Sequence, residues 1–488
     1  MHDLVIRNGT VIDGSASAGR VADVAVDGDR IGFIGHCQES GQTEIDATGL
    51  IVAPGFIDVH SHDDLAVLND PQMNHKISQG VTTDIVGNCG WAVVPRSPIN
   101  DQWVESGVLG SRTVPNCKNL EEYVAYVDEN KPSCNVAVLI GYGAVRRAVL
   151  GSRRGQPSRK DLVEIHRHLS TGMDAGAVGI STGLTYEPGR YSTTEELIGA
   201  IEPVGCRGGV YVSHVRNEGD NLVEAVLEAI KIGSSGGCSV HISHHKALGR
   251  QNWGKVQQSI SVIDSARGEG VDVTTDVYPY TASSTLLHTV LQEGISSDEA
   301  SSVVIASSSY PDSLGRSLSE LSEIHGVPLQ EIACCINDAD PGTVVVRHAM
   351  TEEDVCAVMS HEVSMIGSDG LPSEGGQPHP RLYGTFPRVL GRYVRELGVL
   401  ALPEAVRRMT SLPAKKFRLG LRGEIREGWF ADLSLFDPEK IADRATYDDP
   451  RLVSVGISYV IVNGVLVASN GEHLGTRSGC VLNPSGDG

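Results

Sequence analysis

The middle of the chain alternates short apolar runs with amphipathic segments, and this alternation limits the folds open to the chain more than any other feature. Amphipathic stretches at 159–174, 222–232 and 256–268 predict helices. Eight strands that alternate with helices favour an α/β fold, a (β/α)₈ TIM-like barrel, over an open doubly wound sheet. The eight predicted strands are residues 50–60, 81–87, 135–141, 177–182, 209–214, 238–243, 271–277 and 363–368.

The regular spacing of these strands is interrupted once, between the seventh and the eighth. The intervening segment 285–350 is Ser-rich near its start and has a helical pattern at 314–325. Loops of this length without structure of their own are uncommon inside compact domains. We therefore predict an inserted subdomain over 285–350 that acts as a mobile lid over the barrel.

Both ends of the chain carry short β-runs around tight-turn dipeptides. Asn8-Gly9, Asp27-Gly28 and Asn463-Gly464 each separate two such runs, which predicts three hairpins. Strands at both ends, with a long middle between them, indicate one small β domain shared by the termini. We predict a discontinuous β-sandwich domain from 1–53 plus 416–488 and a barrel domain over 54–415.

Composition and charge exclude several classes of protein. A hydrophobic fraction of 40% and a charged fraction of 21% are typical of a globular chain and not of a disordered one. The net charge of −21 repels phosphate backbones and anionic membrane surfaces, so we expect neither nucleic acid nor membrane as a partner. No apolar run approaches the ~20 residues of a membrane span, and the first residues lack a signal-peptide pattern, which predicts a cytoplasmic protein. The ten cysteines include no CxxC pair and are expected to be free thiols, while the oligomeric state is left open.

Six residues with metal-binding side chains fall at the ends of predicted strands. The C-terminal ends of barrel strands form the face on which active sites of this fold are built. Imidazole, thiolate and carboxylate groups are all zinc ligands, and strand residues two apart point to the same side. The six are His60 and His62 (strand one), Cys89 (strand two), His214 (strand five), His244 (strand six) and Asp369 (strand eight).

Each of these residues has a simpler explanation when it is considered alone. A lone histidine is usually a satisfied polar residue, and Cys89 alone would be a small buried hydrophobe. The aspartate of Gly367-Ser368-Asp369-Gly370 alone would be a turn residue. Because all six fall on one face of the predicted barrel, a metal centre is the better interpretation.

Several longer motifs resemble a known family. The segment Pro54-Gly55-Phe56-Ile57-Asp58-Val59-His60-Ser61-His62 resembles the first-strand signature of the amidohydrolase superfamily. Further motifs are similar to those of the N-acyl-D-amino-acid deacylases, or D-aminoacylases, and the likeness runs from about residue 3 to about residue 466. These motifs are Gly87-Asn88-Cys89-Gly90, Ser213-His214-Val215-Arg216-Asn217-Glu218, Ser243-His244-His245-Lys246, Gly367-Ser368-Asp369-Gly370-Leu371-Pro372, His379-Pro380-Arg381 and Gly384-Thr385-Phe386-Pro387-Arg388-Val389-Leu390.

The resemblance implies a division of labour among the six metal-binding residues. It implies that one Zn²⁺ is bound tightly and that a second, weaker metal position lies beside it. Many members of the superfamily bridge two metals with a carbamylated lysine at the end of strand four, but this chain has Ile180-Ser181-Thr182-Gly183 there. The resemblance therefore implies that Cys89 takes the bridging place. The tight zinc would be held by Cys89, His214 and His244, and the second position would be lined by His60, His62 and Asp369.

The reaction implied is hydrolysis of N-acyl-D-amino acids to a carboxylate and a free D-amino acid. Zinc lowers the pKa of bound water to roughly 7, and Asp369 would accept a proton and return it to the leaving amine as general base and acid. The planar guanidinium of Arg381 suits the substrate carboxylate. Tyr278, Ser283 and Lys246 would add donors, and Lys246 would reach a second carboxylate in N-acyl-D-glutamate, the substrate we expect to be preferred.

Two alternatives stay open at this point. One is a cyclic-amide hydrolase of the dihydroorotase or hydantoinase type, although those enzymes usually need the lysine of strand four. The other is a non-catalytic scaffold on the same barrel, like the collapsin response mediators, which have lost metal ligands. This chain keeps every candidate ligand, so a metal-dependent enzyme with a small-molecule substrate is favoured.

Overall fold

The computed structural model describes residues 1–96, 109, 116–373 and 375–484. The strands of these residues are β1 (His2–Val11), β2 (Arg20–Asp27), β3 (Arg30–Gly35), β4 (Gly41–Asp46), β5 (Ile51–Pro54), β6 (Phe56–Asp58), β7 (Val81–Val86), β8 (Asn135–Gly141), β9 (Gly179–Gly183), β10 (Val210–His214), β11 (Ser239–Ile242), β12 (Val273–Val277), β13 (Ala282–Leu286), β14 (Val303–Ser307), β15 (Val344–His348), β16 (Ser364–Ile366), β17 (Leu433–Phe436), β18 (Ile457–Val462), β19 (Val465–Ser469) and β20 (Glu472–His473).

The helices of the same described ranges lie mostly between the parallel strands. They are α1 (Ala66–Asn69), α2 (Asn74–Ile77), α3 (Leu120–Asn130), α4 (Tyr142–Leu150), α5 (Arg159–Asp174), α6 (Thr194–Gly205), α7 (Leu222–Ser235), α8 (Val256–Gly268), α9 (Leu287–Glu293), α10 (Leu318–His325), α11 (Leu329–Ala339), α12 (Glu352–Ser360), α13 (Arg381–Arg388), α14 (Leu402–Met409) and α15 (Ser411–Lys416). Short 3₁₀ turns cover Gly189–Tyr191, Arg250–Asn252 and Ala300–Ser302, and a π-helical stretch covers Val389–Glu396. No helix of the described residues is long and apolar enough to cross a membrane.

Eight parallel strands form a nearly closed barrel, which confirms the predicted fold class. Their order is β16-β12-β11-β10-β9-β8-β7-β6, and each hydrogen-bonded pair along this path is parallel. The first and last strands meet just beyond their ends, where Ser61 forms a bridge with Gly370 and Asp369 N donates to His60 O at 2.7 Å. The closure point of the barrel therefore lies beside two of the predicted ligands.

The first predicted strand, 50–60, is divided between two sheets. β5 pairs with β1 and β17, whereas β6 begins the barrel beside β7. Gly55 separates them, and a side chain at this position would collide with Thr82 of β7. One apolar run therefore supplies two short strands, which periodicity alone does not separate.

A second sheet collects strands from both chain ends. Its order is β20-β19-β18-β17-β5-β1-β2-β3, with β4 beside β1. The hairpins β2–β3 and β18–β19 confirm two predicted turns. The predicted hairpin at Asn8-Gly9 is wrong, because β1 runs straight through it and pairs with β2 on both sides of a bulge between Ile6 and Gly9. Asn8 has a φ of 59°, which is typical of a turn residue. A β-bulge, which adds one residue to a strand, can also hold a residue at positive φ. The predicted domain limits of 1–53 plus 416–488 and 54–415 stay predictions.

The segment after strand seven folds around an apolar core of its own. β13, β15 and β14 form an antiparallel sheet, and α9, α10 and α11 accompany it. Leu287, Val303, Leu321 and Ile332 belong to its buried cluster. The Ser-rich sequence near 300 therefore buries more apolar surface than its composition suggested.

The C-terminal residues Val481 and Leu482 pack at the end of the barrel opposite the C-terminal ends of its strands. Leu482 is buried in one cluster with Ile85, Leu139 and Phe417, and Val481 bridges to Val136 of β8. Leu482→Ala is expected to destabilise the protein by about 2 kcal/mol or more, because the deleted methyl groups leave a cavity. Leu474→Ala is the matched control, since Leu474 is 50% exposed, and thermal unfolding of both variants checks the difference. Equal melting temperatures for Leu482→Ala and wild type would contradict a structural role for the tail.

Candidate metal centre

Ligand-type side chains meet at the C-terminal end of the barrel in three overlapping groups. Within each group all ligand atoms lie within 4.8 Å of one another, and every member is buried. The structure thus brings together all six residues predicted from the strand ends, and it adds Glu218. The groups are His60, Cys89 and His244; His60, His62 and Asp369; and His214, Glu218 and His244.

Cys89 lies between His60 on one side and the pair His214 and His244 on the other. Its Sγ lies 3.3 Å from His60 Nε2, 3.6 Å from His244 Nε2 and 3.7 Å from His214 Nδ1. Burial opposes ionisation of the thiol, but the charge of His60 and the hydrogen bonds of the three rings hold the pKa of Cys89 well below its usual value. The position favours a thiolate.

Asp369 joins the metal-type residues to Arg381. One carboxylate oxygen lies 3.3 Å from His62 Nε2 and 3.5 Å from His60 Nε2, and the other lies 2.9 Å from Arg381 Nη2. Burial disfavours the charged carboxylate, yet Arg381 and the histidines hold the pKa of Asp369 well below its usual range. Asp369 is therefore an ionised acceptor in this arrangement.

Three of these residues have backbones in the left-handed region. The φ angles are 53° at Cys89, 34° at His244 and 48° at Asp369. A non-glycine residue in a sparsely populated region costs of order 1–3 kcal/mol and is found mainly at functional sites. Each of the three follows the last residue of a barrel strand closely, so the unusual turn directs its side chain toward the barrel axis.

The last residue of β9, Gly183, has no room for a side chain. Gly183 packs against the backbone oxygen of Cys89, and a side-chain carbon there would overlap that oxygen. The loop that carries Cys89 therefore occupies the space beside strand four. A lysine at position 183 is therefore excluded, and the thiol of Cys89 lies at the centre of the ligand groups.

Sequence reasoning missed the carboxylates that orient the histidines. Asp276 Oδ2 lies 3.4 Å from His60 Nδ1 and 2.9 Å from His241 Nε2, and Asp276 Oδ1 accepts a hydrogen bond from His244 N at 2.8 Å. Glu218 Oε1 lies 3.0 Å from His244 Nδ1. Such partners fix which ring nitrogen faces a metal. An acidic residue inside predicted strand seven, and another in the Ser213–Glu218 motif, were the available signals.

The residues predicted to bind substrate differ in whether their polar atoms already have hydrogen-bond or ion-pair partners. Lys246 Nζ lies 2.5 Å from Glu218 Oε1 and 2.8 Å from His244 Nδ1, so its charge is already partnered. Arg381 Nε and Nη1 and Tyr278 Oη are buried, and within the described part of the chain they have no hydrogen-bond partner. The Arg381 guanidinium lies 4.5 Å from the centre of the Tyr278 ring. Buried donors of this kind usually have a partner, so these atoms point to a ligand.

A cavity opens onto the ligand groups, and the inserted segment forms part of its wall. Within the insertion, Arg347 Nη1 lies 2.8 Å from Glu293 Oε2 and Nη2 lies 3.2 Å from Glu299 Oε1. No sequence signal distinguished Arg347 or Glu293 from surface charges. The wall includes Tyr186, His214, His244, Lys246 and Asp369 from the barrel, and Ser283, Thr285, Thr289, Glu293 and Arg347 from the region of β13 to β15.

The fold and the strand-end ligands agree with a known family. Residues 43–195 and 342–468 match the model of the amidohydrolase family. The chain belongs to this family. Two curated relatives extend this amidohydrolase's similarity over nearly its whole length. The N-acyl-D-glutamate deacylase of Alcaligenes xylosoxydans xylosoxydans is 41% identical over 95% of this chain and 93% of its own. The D-aminoacylase of the same organism is 38% identical over 98% of this chain and 97% of its own.

A solved structure shares both the fold and the sequence of this amidohydrolase. The N-acyl-D-glutamate deacylase from Bordetella bronchiseptica, complexed with zinc and a phosphonate inhibitor that mimics the tetrahedral intermediate, matches with a TM-score of 0.91. It is 38% identical and covers 99% of each chain. By contrast, a dihydroorotase of Thermoanaerobacter sp. (strain X514) is 24% identical over 90% of this chain.

Proposed function

We propose that this amidohydrolase is a zinc-dependent deacylase of N-acyl-D-amino acids. One observation carries the proposal: a buried thiolate centre surrounded by histidines and Asp369 lies beside Arg381, whose unpaired guanidinium nitrogens are the kind of donor that a substrate carboxylate requires. A zinc site next to a carboxylate clamp suits an N-acyl amino acid. Two similar proteins, an N-acyl-D-glutamate deacylase and a D-aminoacylase, are named for action on such compounds.

The donor set fits zinc. A thiolate and a carboxylate are buried among imidazole rings, and His62 Nδ1 is buried with no hydrogen-bond partner in the described residues. A divalent cation would neutralise the two buried anions, which are otherwise costly to bury. We assign Cys89, His214 and His244 to a tightly bound zinc. His60, His62 and Asp369 line a second and weaker metal position, with Cys89 between the two.

The chain's own residues would divide the hydrolysis between proton transfer and substrate orientation. When bound, zinc supplies Lewis acidity, which activates water at neutral pH and polarises an acyl carbonyl. Asp369, ionised beside Arg381, accepts the proton of the attacking water and returns it to the amine nitrogen, which leaves only when protonated. Arg381, through Nε and Nη1, binds the α-carboxylate, and Tyr278 and Ser283 donate further hydrogen bonds to it.

The alternatives have less support. The likeness to dihydroorotases is distant, and β9 has no lysine and no space for one at position 183. A scaffold without catalysis would not need a complete ligand set with its orienting carboxylates. The substrate is a small molecule. A cytoplasmic location and the absence of nucleic-acid and membrane partners stay predictions from the composition.

Hydrolysis of a matched panel tests the proposal directly. Purified protein is given N-acetyl-D- and N-acetyl-L-amino acids with the same side chains, and the free amine is measured, with zinc content determined by elemental analysis. Release from the D series only, by protein that contains about one zinc or more per chain, is expected. Turnover of dihydroorotate or a hydantoin without release from any N-acetyl-D-amino acid would favour the cyclic-amide alternative, and a metal-free protein would contradict the enzyme.

The preference for N-acyl-D-glutamate is tested by the cations that line the cavity. Lys246→Met is expected to lower kcat/KM at least tenfold more for N-acetyl-D-glutamate than for N-acetyl-D-leucine, because the ammonium group, which is paired with Glu218 in this structure, can shift on its flexible stem to a side-chain carboxylate. Arg347→Met tests the other cation of the cavity in the same assay. Arg381→Lys is the control, since loss of the planar clamp should reduce both substrates. Equal losses for Lys246→Met would place Lys246 in the general site and remove its role in acidic preference.

The inserted segment 285–350 is predicted to move over the cavity as a lid. Closure would exclude water and strengthen the charge interactions inside. Amide hydrogen exchange should be faster in 285–350 than in the barrel strands and should slow when a D-amino acid product is added. Exchange as slow as that of β8 to β11, with no response to product, would contradict a mobile lid.

A further inference from the structure

A fully buried lysine lies directly beneath the strand-one ligands. Lys76 of α2 has no exposed side-chain surface, and its Nζ lies 2.5 Å from Asp58, 3.0 Å from Asp63 and 3.4 Å from Asp84. Burial opposes the charge of Lys76, but these three carboxylates hold its pKa well above the usual value. A cation so placed is costly to bury unless it is paired closely, as it is here.

This charge cluster connects the two ends of the barrel sheet. Asp58 Oδ1 accepts hydrogen bonds from His60 N at 3.2 Å and from Ser368 N at 2.8 Å. Lys76 Nζ donates to Ser368 Oγ at 3.2 Å, and Ser368 Oγ donates to His60 O at 3.3 Å. Strand one and the loop after strand eight, which have no long ladder between them, are thus fixed to one another through Lys76 and Asp58.

The connected segments carry one half of the ligand set. His60 and His62 follow strand one, and Asp369 is next to Ser368. The other half is oriented elsewhere, since Glu218 contacts His244 and the ring of Tyr186 lies 4.8 Å from His214. Within the described residues, none of the hydrogen bonds or ion pairs of Lys76 involves Cys89, His214 or His244.

We infer that Lys76 is a positioning residue for the second metal position, where it sets the spacing between the histidines of strand one and Asp369. The inference rests on the proposed function for the presence of two metal positions. Without the cation, Asp58 would be a buried carboxylate with no neutralising charge beside it, and Ser368 Oγ would lose its link to Lys76, so the Asp58 and Ser368 contacts would rearrange. His60, His62 and Asp369 would then separate, while Cys89, His214 and His244 would keep their arrangement.

Zinc affinity, measured without reference to turnover, tests this inference. Wild-type protein and Lys76→Met are stripped of weakly held metal and titrated with Zn²⁺ against a competing chelator. We expect about one zinc per chain to be retained by both, and the affinity of the second position to fall at least tenfold in Lys76→Met. Arg146→Met is the matched control, because Arg146 is also fully buried. Its Nε lies 2.8 Å from Glu196 Oε1, and this ion pair does not involve the ligand residues. It should leave both affinities unchanged.

A milder variant covers the case in which Lys76→Met does not fold. Ser368→Ala removes one hydroxyl that links Lys76 to the strand-eight loop, and it should weaken the second position in the same direction while the tight zinc stays. A wild-type protein with a single class of zinc site would overturn the inference, as would parallel loss of both sites in Lys76→Met or unchanged second-site affinity in both variants. Because no step of the test depends on hydrolysis, its outcome is separate from that of the deacylase assay.

Discussion

Cys89→Ala is expected to lose most of the bound zinc and to lower kcat/KM by at least ~10³-fold, which corresponds to about 4 kcal/mol in transition-state stabilisation. The reason is its central place, with Sγ between 3.3 and 3.7 Å from three histidine nitrogens. A catalytic zinc site typically has three protein ligands and one open position, so the loss of one anionic ligand removes a large part of the binding. Position 183 at the end of β9 offers no replacement ligand, because a side chain there would overlap Cys89 O.

Cys134→Ala is the control for Cys89→Ala, because it removes a buried thiol that is not a predicted metal ligand. Cys134 is also fully buried, but its Sγ donates to Val81 O and has no histidine beside it. The control variant should keep its zinc and turn over substrate at a near-normal rate. A Cys89→Ala protein with full zinc content and near-normal turnover would show that the thiol is only part of the core.

Asp369→Asn is expected to lower kcat by about 10²–10⁴-fold while the tightly bound zinc remains, since an amide of the same shape cannot accept a proton. The carboxylate faces His62 at 3.3 Å and Arg381 at 2.9 Å, so it can touch both the metal region and the bound substrate. Zinc content and single-turnover rates, measured on the same preparation, check the two parts of this expectation.

A second buried aspartate, which belongs to none of the three ligand groups, serves as the control for Asp369. Asp354 is 5% exposed and accepts the backbone N–H of Gly254, and Asp354→Asn should leave kcat within a few-fold of wild type. If Asp369→Asn lost zinc in proportion to activity, Asp369 would be a ligand of the tight metal and not the proton acceptor. Retained activity would remove it from the mechanism.

The predicted helix at 159–174 coincides with α5, which has a strong amphipathic pattern, and that at 256–268 coincides with α8, although its pattern is weaker. Strands β8 to β12 also lie within a few residues of their predictions, and every residue in them except Ser239 is buried. The hairpin predicted at Asn8-Gly9 is wrong because a β-bulge and a tight turn both place a residue at positive φ, and the sequence does not distinguish them. The run 50–60 became two strands because one apolar stretch crosses from the small sheet to the barrel.

The sequence by itself determined the barrel and the six ligand-type residues at its strand ends, since these follow from local patterns and from spacing along the chain. The carboxylate-binding role of Arg381 rests on the resemblance to the deacylases and stays a prediction. Only the tertiary structure decided which groups orient those ligands. Asp276, Glu218 and Lys76 act across long separations in sequence, and hydrogen bonding and ion pairing depend on distance in space. The pairing of Lys246 with Glu218 could not be predicted from the sequence either. The two residues follow different strands, and only the folded barrel brings those strand ends together.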